Sequence, residues 1–443
     1  MIKQQTNKLS RRDFLKATAA GAAAVGTGAV PLPVAAQDDP INLIMWSNFS
    51  AGSALEAVDA MVAAINEANS DIVVEHTGFQ NEDYKATILN TAFAGGAPPD
   101  IFASVGFEWL FAFVRPGAVL DITDYYEANL RDRYIPGIEA TYDFEGRFWA
   151  VPWRVGSTPF IHYNLNLFDQ IGASPDDIAT VDGLMDVCEK GLAAGITPIG
   201  FGNKNQWNAV HWISNFVKNI MGAESANALF SMREGSWADA EPIEGATRMK
   251  TFVDNGYFGN SLNESYGVGS QLYWAGESLM LGTGGWEVSG LVRKMEEDPE
   301  FRGDFKEFPV EVGKPGLGSD WIFWGSLWAA SASDDNAAIQ ARLKVLDAVG
   351  SAAMQGLSFQ VRQDSYAARG AVAASGVEIA GPTAKYYELY ENATALLPIP
   401  DVAIPTQATA TMYEEFQGML LGHVSVEDAL NEIADAIDRF RPE

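Results

Sequence analysis

Apolar and polar positions between residues 41 and 103 follow a repeating order of buried strand and amphipathic helix. The apolar run over 41–46 predicts a strand, and apolar residues spaced by three and four over 53–69 predict a helix. A second strand is predicted over 71–76, a second helix over 83–94 and a short third strand over 100–103. This order is typical of a parallel, doubly wound α/β sheet, which binds ligands in the loops after the carboxyl ends of its strands.

A second series of alternating elements begins near residue 146. A strand is predicted over 157–164, and a helix over 182–194 leads into another buried strand. A helix is predicted over 207–221, and Ser425 with Asp428 forms a capping box before the last amphipathic helix. Because the chain has neither an internal repeat nor a long linker, we predict two α/β lobes with several chain crossings.

The first 37 residues have the features of an export signal. Residues 10–16 (SRRDFLK) carry paired arginines before an apolar pair, and an uncharged stretch rich in Ala and Gly extends to residue 34. The segment resembles a twin-arginine signal peptide. A membrane anchor is the weaker alternative, because this stretch is only weakly hydrophobic. We expect a periplasmic or extracellular protein that is not anchored through an N-terminal cysteine, since none lies near the cleavage site.

Composition and charge exclude several classes of protein. Of 443 residues, 47% are hydrophobic and 20% are charged, which rules out a disordered or fibrous chain. Asp and Glu outnumber Lys and Arg by 58 to 29, and removal of residues 1–37 leaves 57 against 24, a formal charge of −33. Such a surface repels phosphate backbones, so nucleic acid is not an expected partner. Cys188 is the single cysteine, which excludes an internal disulfide and predicts a buried, inert thiol.

Sequence signatures of catalysis are mostly missing. The four histidines have no i, i+4 pairing, and we expect His162 and His211 to pack rather than to bind ligand. The chain has no P-loop and no G-x-S-x-G motif, and no cofactor or metal is predicted. A secreted glycoside hydrolase, which would be an enzyme, remains an alternative function because its active site needs only two carboxylates. Asp143, Glu145 and Glu108 are the candidates for such a pair.

Tryptophan is the most informative residue type in this sequence. The chain has twelve, and several are predicted to lie in loops beside Asn, Gly, Ser or Asp. An indole ring stacks on the C–H face of a sugar, while polar side chains bond its hydroxyl groups. A single tryptophan more often packs in a core, so the inference rests on the group as a whole. Its members are Trp46, Trp153, Trp207, Trp286, Trp321 and Trp324.

Several motifs occur in the order found in one known family. Residues 46–48 (WSN) end the first predicted strand, and residues 91–102 (TAFAGGAPPDIF) resemble the family's step of small residues, Gly and Pro-Asp-Ile. Residues 146–153 and 161–168 resemble its crossover, and residues 276–286 resemble its G-x-A-A-M and G-x-W segment. The chain is similar over about 41–440 to extracellular solute-binding proteins of ATP-binding-cassette sugar importers, the family that includes maltose-binding protein.

The resemblance implies two α/β lobes that are joined by a hinge and close on a sugar, with no reaction. It also implies a carbohydrate ligand, a membrane permease of the ABC importer as partner, and a monomer. The implied boundaries are 38–152 and 327–370 for the first lobe, 155–324 and 371–443 for the second lobe, and 152–156 and 324–327 for the hinge crossovers.

The resemblance also implies a set of ligand-binding residues. Trp286 matches the stacking tryptophan of the G-x-W turn and is the best single candidate. Trp321 and Trp324 depart from the family, which usually has a loop of small residues at that place. The expected ligand-binding residues are Trp46, Asn48, Ser50, Gln80, Ser104, Glu108, Trp153, Asn205, Trp207, Trp286, Asp320, Trp321, Trp324 and Arg362; Arg362 ranks lower, together with Asp364, because both lie near a late ligand loop.

Two other ligands stay open for the same fold. A phosphate ester such as glycerol-3-phosphate would favour Arg and Lys in the loops, where Arg154, Lys204 and Arg362 are the exceptions. A polyamine would favour an acidic cage, which Asp320 and Glu108 only suggest. A sugar is therefore the preferred ligand.

Overall fold

A computed structural model of the protein describes residues 39–135, 137–364 and 366–441. The predicted export signal over 1–37 lies outside the described residues. Within the described ranges, no helix combines the length and the apolar character that crossing a membrane requires. The strands of these ranges are β1 Ile41–Ser47, β2 Ile72–Gly78, β3 Ile101–Ser104, β4 Asp143–Phe144, β5 Arg147–Phe148, β6 Ala150–Thr158, β7 Phe160–Asn164, β8 Thr197–Gly200, β9 Ser278–Thr283, β10 Gly303–Glu307, β11 Asp320–Ala330 and β12 Ala395–Pro398.

The first sheet contains the three strands that the hydrophobic pattern predicts near the N-terminus. Its order is β12-β11-β3-β1-β2, and β6 pairs with β11 outside this path. Strand β1 lies parallel to both β2 and β3, so the predicted doubly wound arrangement is confirmed. Strand β11 pairs antiparallel with β3 and β6, and parallel with β12. The carboxyl ends of β1, β2 and β3 therefore meet at one edge of this sheet.

The second sheet has the order β10-β7-β9-β8. Strand β7 lies antiparallel to β9 and β10, and β8 lies parallel to β9. The single strand predicted over 157–164 is in fact the end of β6 and the whole of β7, which belong to different sheets. Strands β4 and β5 form a separate hairpin.

Helices cover both sheets. The helix predicted over 83–94 begins earlier, at Asn81, and contains a π-helical turn, while the helix predicted over 207–221 has the predicted bounds. Ser425 Oγ accepts from Asp428 N, as predicted for the last helix. The α-helices are α1 Gly52–Ala68, α2 Asn81–Asp83, α3 Leu89–Ala94, α4 Glu108–Val114, α5 Thr123–Asn129, α6 Leu165–Ile171, α7 Val181–Ala193, α8 Trp207–Met221, α9 Ala223–Phe230, α10 Ala240–Asp254, α11 Tyr266–Trp274, α12 Val288–Glu297, α13 Asn336–Val349, α14 Ala352–Arg362, α15 Ala371–Ser375, α16 Gly381–Glu391, α17 Pro400–Ala403, α18 Thr406–Leu420 and α19 Val426–Asp438. The π-helical turn is Tyr84–Ile88, and the 3₁₀ turns are Arg131–Arg133, Ile138–Thr141, Ser261–Asn263 and Gly285–Glu287.

Each sheet carries its own large hydrophobic core. We call the side of the molecule built on the first sheet the first lobe, and the side built on the second sheet the second lobe. The first core includes α1, α13 and α14, and the second includes α7, α8 and the C-terminal helices α18 and α19. Cys188 is fully buried in the second core, as predicted. Two separate cores leave a cleft between them, and the carboxyl ends of β1, β2 and β3 open into it.

Candidate functional site

The cleft between the lobes has a volume of about 860 Å³. The first lobe contributes polar side chains from the loops after β1 and β2, among them Asn48, Gln80 and Asn81. The second lobe contributes the start of α8, the start of α11 and the 3₁₀ turn after β9. Because both lobes line it, a ligand in this cleft would contact both.

Five rings in the cleft form a continuous aromatic surface, which we call the aromatic platform: Trp207, His211, Tyr266 and Trp286 of the second lobe, and Trp324 of β11 in the first sheet. Ring centroids lie 4.9 Å apart for Trp207 and Tyr266, and 5.3 Å apart for Trp286 and Trp324. His211 lies 4.8 Å from Trp207 and 5.6 Å from Trp324. A sugar held between two parallel rings needs about 7–8 Å, twice a carbon contact distance, so a ligand must lie on this platform rather than between its members.

Local structure explains the position of each ring. Trp207 is the first residue of α8 and His211 follows one turn later, so both lie on the same helix face. Trp286 lies in the 3₁₀ turn after β9. Trp324 projects from β11 at the position directly opposite Gly156 of β6.

Two glycines make room for the tryptophans of the platform. A Cβ atom at Gly156 would lie 2.2 Å from Cε2 of Trp324, and one at Gly284 would lie 1.9 Å from Cζ3 of Trp286. Neither glycine has a positive φ, so the requirement is for space and not for backbone conformation. The indoles thus pack directly on backbone, which fixes one face of each ring.

The Tyr266 hydroxyl connects the platform to a carboxylate. It accepts hydrogen bonds from Trp286 Nε1 at 2.8 Å and from Thr283 Oγ1 at 3.2 Å, and it donates to Glu287 Oε1. Burial raises the pKa of Glu287, and its bond from Tyr266 and the charge of Arg362 oppose this increase. Glu287 lines the cleft next to Trp286.

Three buried charged side chains form a second feature, which we call the charged triad: Arg154, Arg362 and Asp364. Asp364 Oδ2 accepts from Arg154 Nη1 at 2.7 Å and from Arg362 Nε and Nη2 at 2.9 and 2.7 Å. Burial alone would raise the pKa of Asp364, but the two guanidinium groups outweigh it and the pKa is lowered. Both arginines line the cleft. The triad therefore presents guanidinium groups that Asp364 holds in place.

Asp401 lies at a contact between the two lobes. Its Oδ2 accepts from Tyr413 at 2.7 Å and lies 3.9 Å from His211 Nε2, while its backbone carbonyl accepts from Trp109 Nε1 of the first lobe at 3.3 Å. Burial raises the pKa of Asp401 to about 6, although its bond from Tyr413 and the charge of Lys85 act in the opposite direction. Burial also lowers the pKa of His211 well below its usual value, so this ring is neutral at pH 7.

Charges at the cleft balance one another. Four cationic and three anionic side chains line it, and Asp364 lies directly behind the two arginines of the triad. Within the described residues, no cluster of three or more His, Cys, Asp or Glu is arranged to hold a metal ion. The cationic residues are Lys85, Arg154, Arg293 and Arg362, and the anionic lining residues are Glu82, Glu287 and Asp401.

Half of the predicted ligand-binding residues line the cleft. The structure brings them together from six different segments of the chain, although Asn48 and Asn205 also make hydrogen bonds within the protein. They are Asn48, Gln80, Asn205, Trp207, Trp286, Trp324 and Arg362.

The other half lies outside the cleft. Trp153 packs in the first core with Trp328, at a centroid distance of 6.0 Å. Trp321 is buried against Phe160 and donates to Glu307, and Asp320 accepts from Thr394 and Leu317 N. Glu108 forms a two-bond ion pair with Arg115. Ser104 faces only a small adjoining cavity, and Trp46 and Ser50 do not line the cleft.

The expectation that the tryptophans lie in loops is wrong for five of the six, since four lie within strands and Trp207 is the first residue of α8. Trp46, Trp153, Trp321 and Trp324 lie within strands, because their neighbours pair in the first sheet. The hydrolase candidates are also dispersed, since Asp143 and Glu145 lie in or beside the β4–β5 hairpin away from the cleft.

Several cleft residues are not predicted from the sequence. His211 was expected only to pack, but it lines the cleft, whereas His162 is buried as expected beside Gly284 O. Tyr266 and Glu287 had one available signal, their closeness to predicted ligand residues along the chain. Asp401 had none, because β12, the short strand before it, was not recognised.

Known proteins resemble the chain in sequence. An ABC transporter extracellular-binding protein of Pyrococcus horikoshii is 27% identical over 205 residues, 43% of this chain and 46% of that protein. A probable sugar-binding periplasmic protein of Brucella suis is 23% identical over 437 residues, 96% of this chain and 99% of that protein. An sn-glycerol-3-phosphate-binding periplasmic protein of Brucella abortus is 24% identical over 319 residues, 68% and 70% of the two chains. The match thus spans about half the length of the Pyrococcus relative.

Solved structures share the fold. A protein described under xylan utilization by Caldanaerobius polysaccharolyticus has a TM-score of 0.80 at 17% identity, over 90% of this chain and 100% of that one. A chitin oligosaccharide binding protein has a TM-score of 0.79 at 20% identity, over 90% and 99% of the two chains. The predicted two-lobe α/β fold with a cleft between the lobes is confirmed.

Two family models match the sequence, one at the N-terminal segment and one over most of the remaining chain. Residues 1–40 match the twin-arginine signal of the ubiquitinol–cytochrome c reductase Fe–S subunit, which confirms the predicted export of the protein through the twin-arginine pathway. Residues 51–356 match the model of the bacterial extracellular solute-binding protein. These residues include both sheets except for β1 and β12, together with most of the cleft. The chain therefore belongs to the bacterial extracellular solute-binding protein family.

Proposed function

We propose that the protein captures a neutral sugar in the cleft and delivers it unchanged to an ABC importer. The observation that carries this proposal is the aromatic platform beside a charge-balanced set of hydrogen-bonding groups. The indoles offer flat apolar surface to the C–H face of a pyranose, and Asn, Gln, Arg and carboxylate groups match its hydroxyls. The sugar-binding name of the Brucella suis relative supports this ligand class.

We propose that binding works through closure of the two lobes. A ligand on the platform would touch Trp207 and Trp286 of the second lobe and reach Asn48 and Gln80 of the first. Contacts that form only when the lobes approach make the closed state bind more tightly, which shifts the equilibrium toward it. The proposed lobe boundaries are those implied by the resemblance, with 152–156 and 324–327 as hinge crossovers. Strand β12, which lies within the 371–443 part of the proposed second lobe, departs from these boundaries because it pairs with β11 in the first sheet.

We propose that the partners are the transmembrane permease subunits of an ABC importer and that the protein acts as a monomer. The Pyrococcus relative's description as an ABC transporter extracellular-binding protein supports the partner class. Light scattering of the purified mature chain tests the monomer, and capture of the permease subunits by the sugar-loaded protein tests the partner.

Glycerol-3-phosphate is the second candidate ligand, because one relative carries that name and two buried guanidinium groups line the cleft. A bound phosphate dianion would need an excess of positive charge, whereas Asp364 and Glu287 already offset the two arginines. The same balance disfavours a polyamine, which would need an excess of carboxylates.

The first test is thermal unfolding of the mature chain with D-galactose, xylobiose, chitobiose, maltose, stachyose, glycerol-3-phosphate or spermidine. A ligand at 1,000 times its dissociation constant stabilises the folded state by about 4 kcal/mol. We expect at least one neutral sugar to raise the midpoint and to be recovered intact. A shift with glycerol-3-phosphate or spermidine alone would refute the sugar, and cleavage of the sugar would mean an enzyme.

Two tryptophan variants locate the binding site. Trp286→Ala removes a ring from the platform and should weaken sugar binding by about tenfold or more, as loss of a stacking ring costs roughly 1.4 kcal/mol. Trp46→Ala is the matched control, because Trp46 is also half-buried but lies outside the cleft. Equal losses of affinity in the two variants would place the sugar elsewhere.

A further inference from the structure

The Tyr266 hydroxyl uses its full hydrogen-bonding capacity inside the protein. A phenol has one donor and two acceptor positions. Trp286 Nε1 and Thr283 Oγ1 occupy the acceptor positions at 2.8 and 3.2 Å, and Glu287 Oε1 receives the donor. No position is left for a ligand, so this hydroxyl acts on its neighbours in the protein.

The Tyr266 hydroxyl bonds two groups of the cleft, the Trp286 indole and the Glu287 carboxylate. The Trp286 indole rests on the backbone of Gly284 and packs against Trp207 and Trp324, and its Nε1–H donates to the Tyr266 hydroxyl. Among the described residues, no other side chain donates a hydrogen bond to the Glu287 carboxylate. Burial keeps the phenol protonated because it raises the pKa of Tyr266 well above the usual value.

We propose that Tyr266 is a positioning residue that holds the Trp286 ring and the Glu287 carboxylate at one fixed spacing. A sugar that stacks on Trp286 then presents the hydroxyl at the ring edge to Glu287, and an epimer or deoxy sugar at that carbon leaves the carboxylate with its bond from Tyr266 but without one from the ligand. Selection among sugars at this hydroxyl therefore depends on Tyr266. This inference rests on the proposed sugar-binding function.

The first experiment needs no ligand. The ¹H–¹⁵N spectrum of the indole groups reports on the Trp286 Nε1–H directly, and Trp286→Phe assigns its signal. In Tyr266→Phe, which keeps the ring, we expect this signal to move upfield and to exchange with solvent faster. Tyr273→Phe is the matched control on the same helix, because the Tyr273 hydroxyl bonds Tyr163 O and not the platform. An unchanged Trp286 signal in Tyr266→Phe would overturn the positioning role.

The second experiment measures selection among sugars. Each sugar of the panel that binds the wild-type chain is titrated beside its epimers and deoxy analogues into wild type, Tyr266→Phe, Tyr273→Phe and Glu287→Gln. We expect Tyr266→Phe to reduce the preference for one epimer about tenfold, and Tyr273→Phe to leave it unchanged. The double variant Tyr266→Phe/Glu287→Gln should be no less selective than Glu287→Gln alone, because both changes act through the same carboxylate.

The possible results distinguish a failure of the proposed role of Tyr266 from a failure of the proposed sugar binding. An altered Trp286 signal with unchanged selection would overturn the role of Tyr266 in specificity. Additive losses in the double variant would also overturn it, because Tyr266 would then act apart from Glu287. If no sugar binds the wild-type chain, the proposed function fails together with the specificity role, and the indole spectrum still decides whether Tyr266 positions Trp286.

Discussion

Replacement of Gly156 by alanine tests the packing of the aromatic platform most directly. Gly156 of β6 lies opposite Trp324 of β11, and the indole covers it. A methyl group at this position would lie 2.2 Å from Cε2 and 2.3 Å from Cζ2 of the ring, against ordinary carbon contacts of about 3.5–4.0 Å. The ring must therefore retreat by more than about 1 Å.

The expected cost has two parts. Overpacking at a well-packed site lowers the free energy of unfolding by about 1–3 kcal/mol. Displacement of Trp324 also breaks its contacts with Trp286 and His211, whose centroids lie 5.3 and 5.6 Å away. The displaced ring also no longer offers its face to the sugar, and because an aromatic contact is worth about 0.5–1.5 kcal/mol, the affinity for the sugar should fall about two- to tenfold.

The assay compares Gly156→Ala with a second glycine variant by urea unfolding and by sugar titration. Gly267→Ala is the matched control, because Gly267 lies at the cleft and a Cβ atom at this position would have no atom within 4 Å. It lies in a helix, where alanine should be neutral or stabilising. The double variant Gly156→Ala/Trp324→Ala should be no less stable than Trp324→Ala. If Gly156→Ala behaves like Gly267→Ala, the indole does not rest on Gly156.

Three further predictions concern buried charges and the contact between lobes. Burial raises the pKa of Asp401 from 3.8 to about 6, so wild type should lose about 3 kcal/mol of stability relative to Asp401→Asn as pH rises from about 4 to about 6. Urea unfolding across this range checks it, and parallel curves would contradict it. Asp364→Asn leaves two buried guanidinium groups without their carboxylate and should lower the free energy of unfolding in urea by about 3–5 kcal/mol. Asp169→Asn is the control at an exposed ion pair and should lower it by less than about 1 kcal/mol. Trp109→Phe removes the hydrogen bond to the Asp401 carbonyl and should lower the free energy of unfolding by about 1 kcal/mol; an unchanged midpoint of urea unfolding would refute this.

Much of the first lobe could be predicted from the sequence, because its signals are local. The apolar run of β1 and the helical spacing of α1 depend only on residues within a few positions of each other. The helix over Trp207–Met221 was likewise predicted with its bounds. The family motifs also predict a cleft between the lobes and Trp286 as the best candidate ligand-binding residue, and Trp286 does line the cleft.

The charged triad could not be predicted, because its parts are far apart in sequence. Arg154 and Asp364 are separated by 210 positions and meet only through the fold. In the sequence, Arg154 is one of the few basic residues in the predicted ligand loops, and Asp364 is a lower-ranked candidate near a late loop. No local pattern connects the two residues. The same holds for Asp401 and His211, whose side chains meet across α8 and α17.

The alternation of side chains along a strand explains why Trp153 and Trp321 do not line the cleft. Side chains alternate between the two faces of a strand, so residues separated by an odd number of positions point in opposite directions. Arg154 faces the cleft, and its neighbour Trp153 must therefore face the core. Trp324 and Trp321 are three positions apart, so only one of them can reach the cleft, and it is Trp324.

Applied to the sequence alone, this rule excludes two of the predicted ligand residues, provided that 150–158 and 320–330 are recognised as strands. Recognition fails because both segments are buried on both faces and show no alternation of apolar and polar residues. The residues of these strands that line the cleft are Arg154 on β6, and Trp324 and Ser326 on β11. A polar residue within an apolar strand, such as Arg154 or Ser326, therefore marks the face toward the cleft, and alternation from that residue assigns Trp324 to the same face and Trp153 and Trp321 to the other.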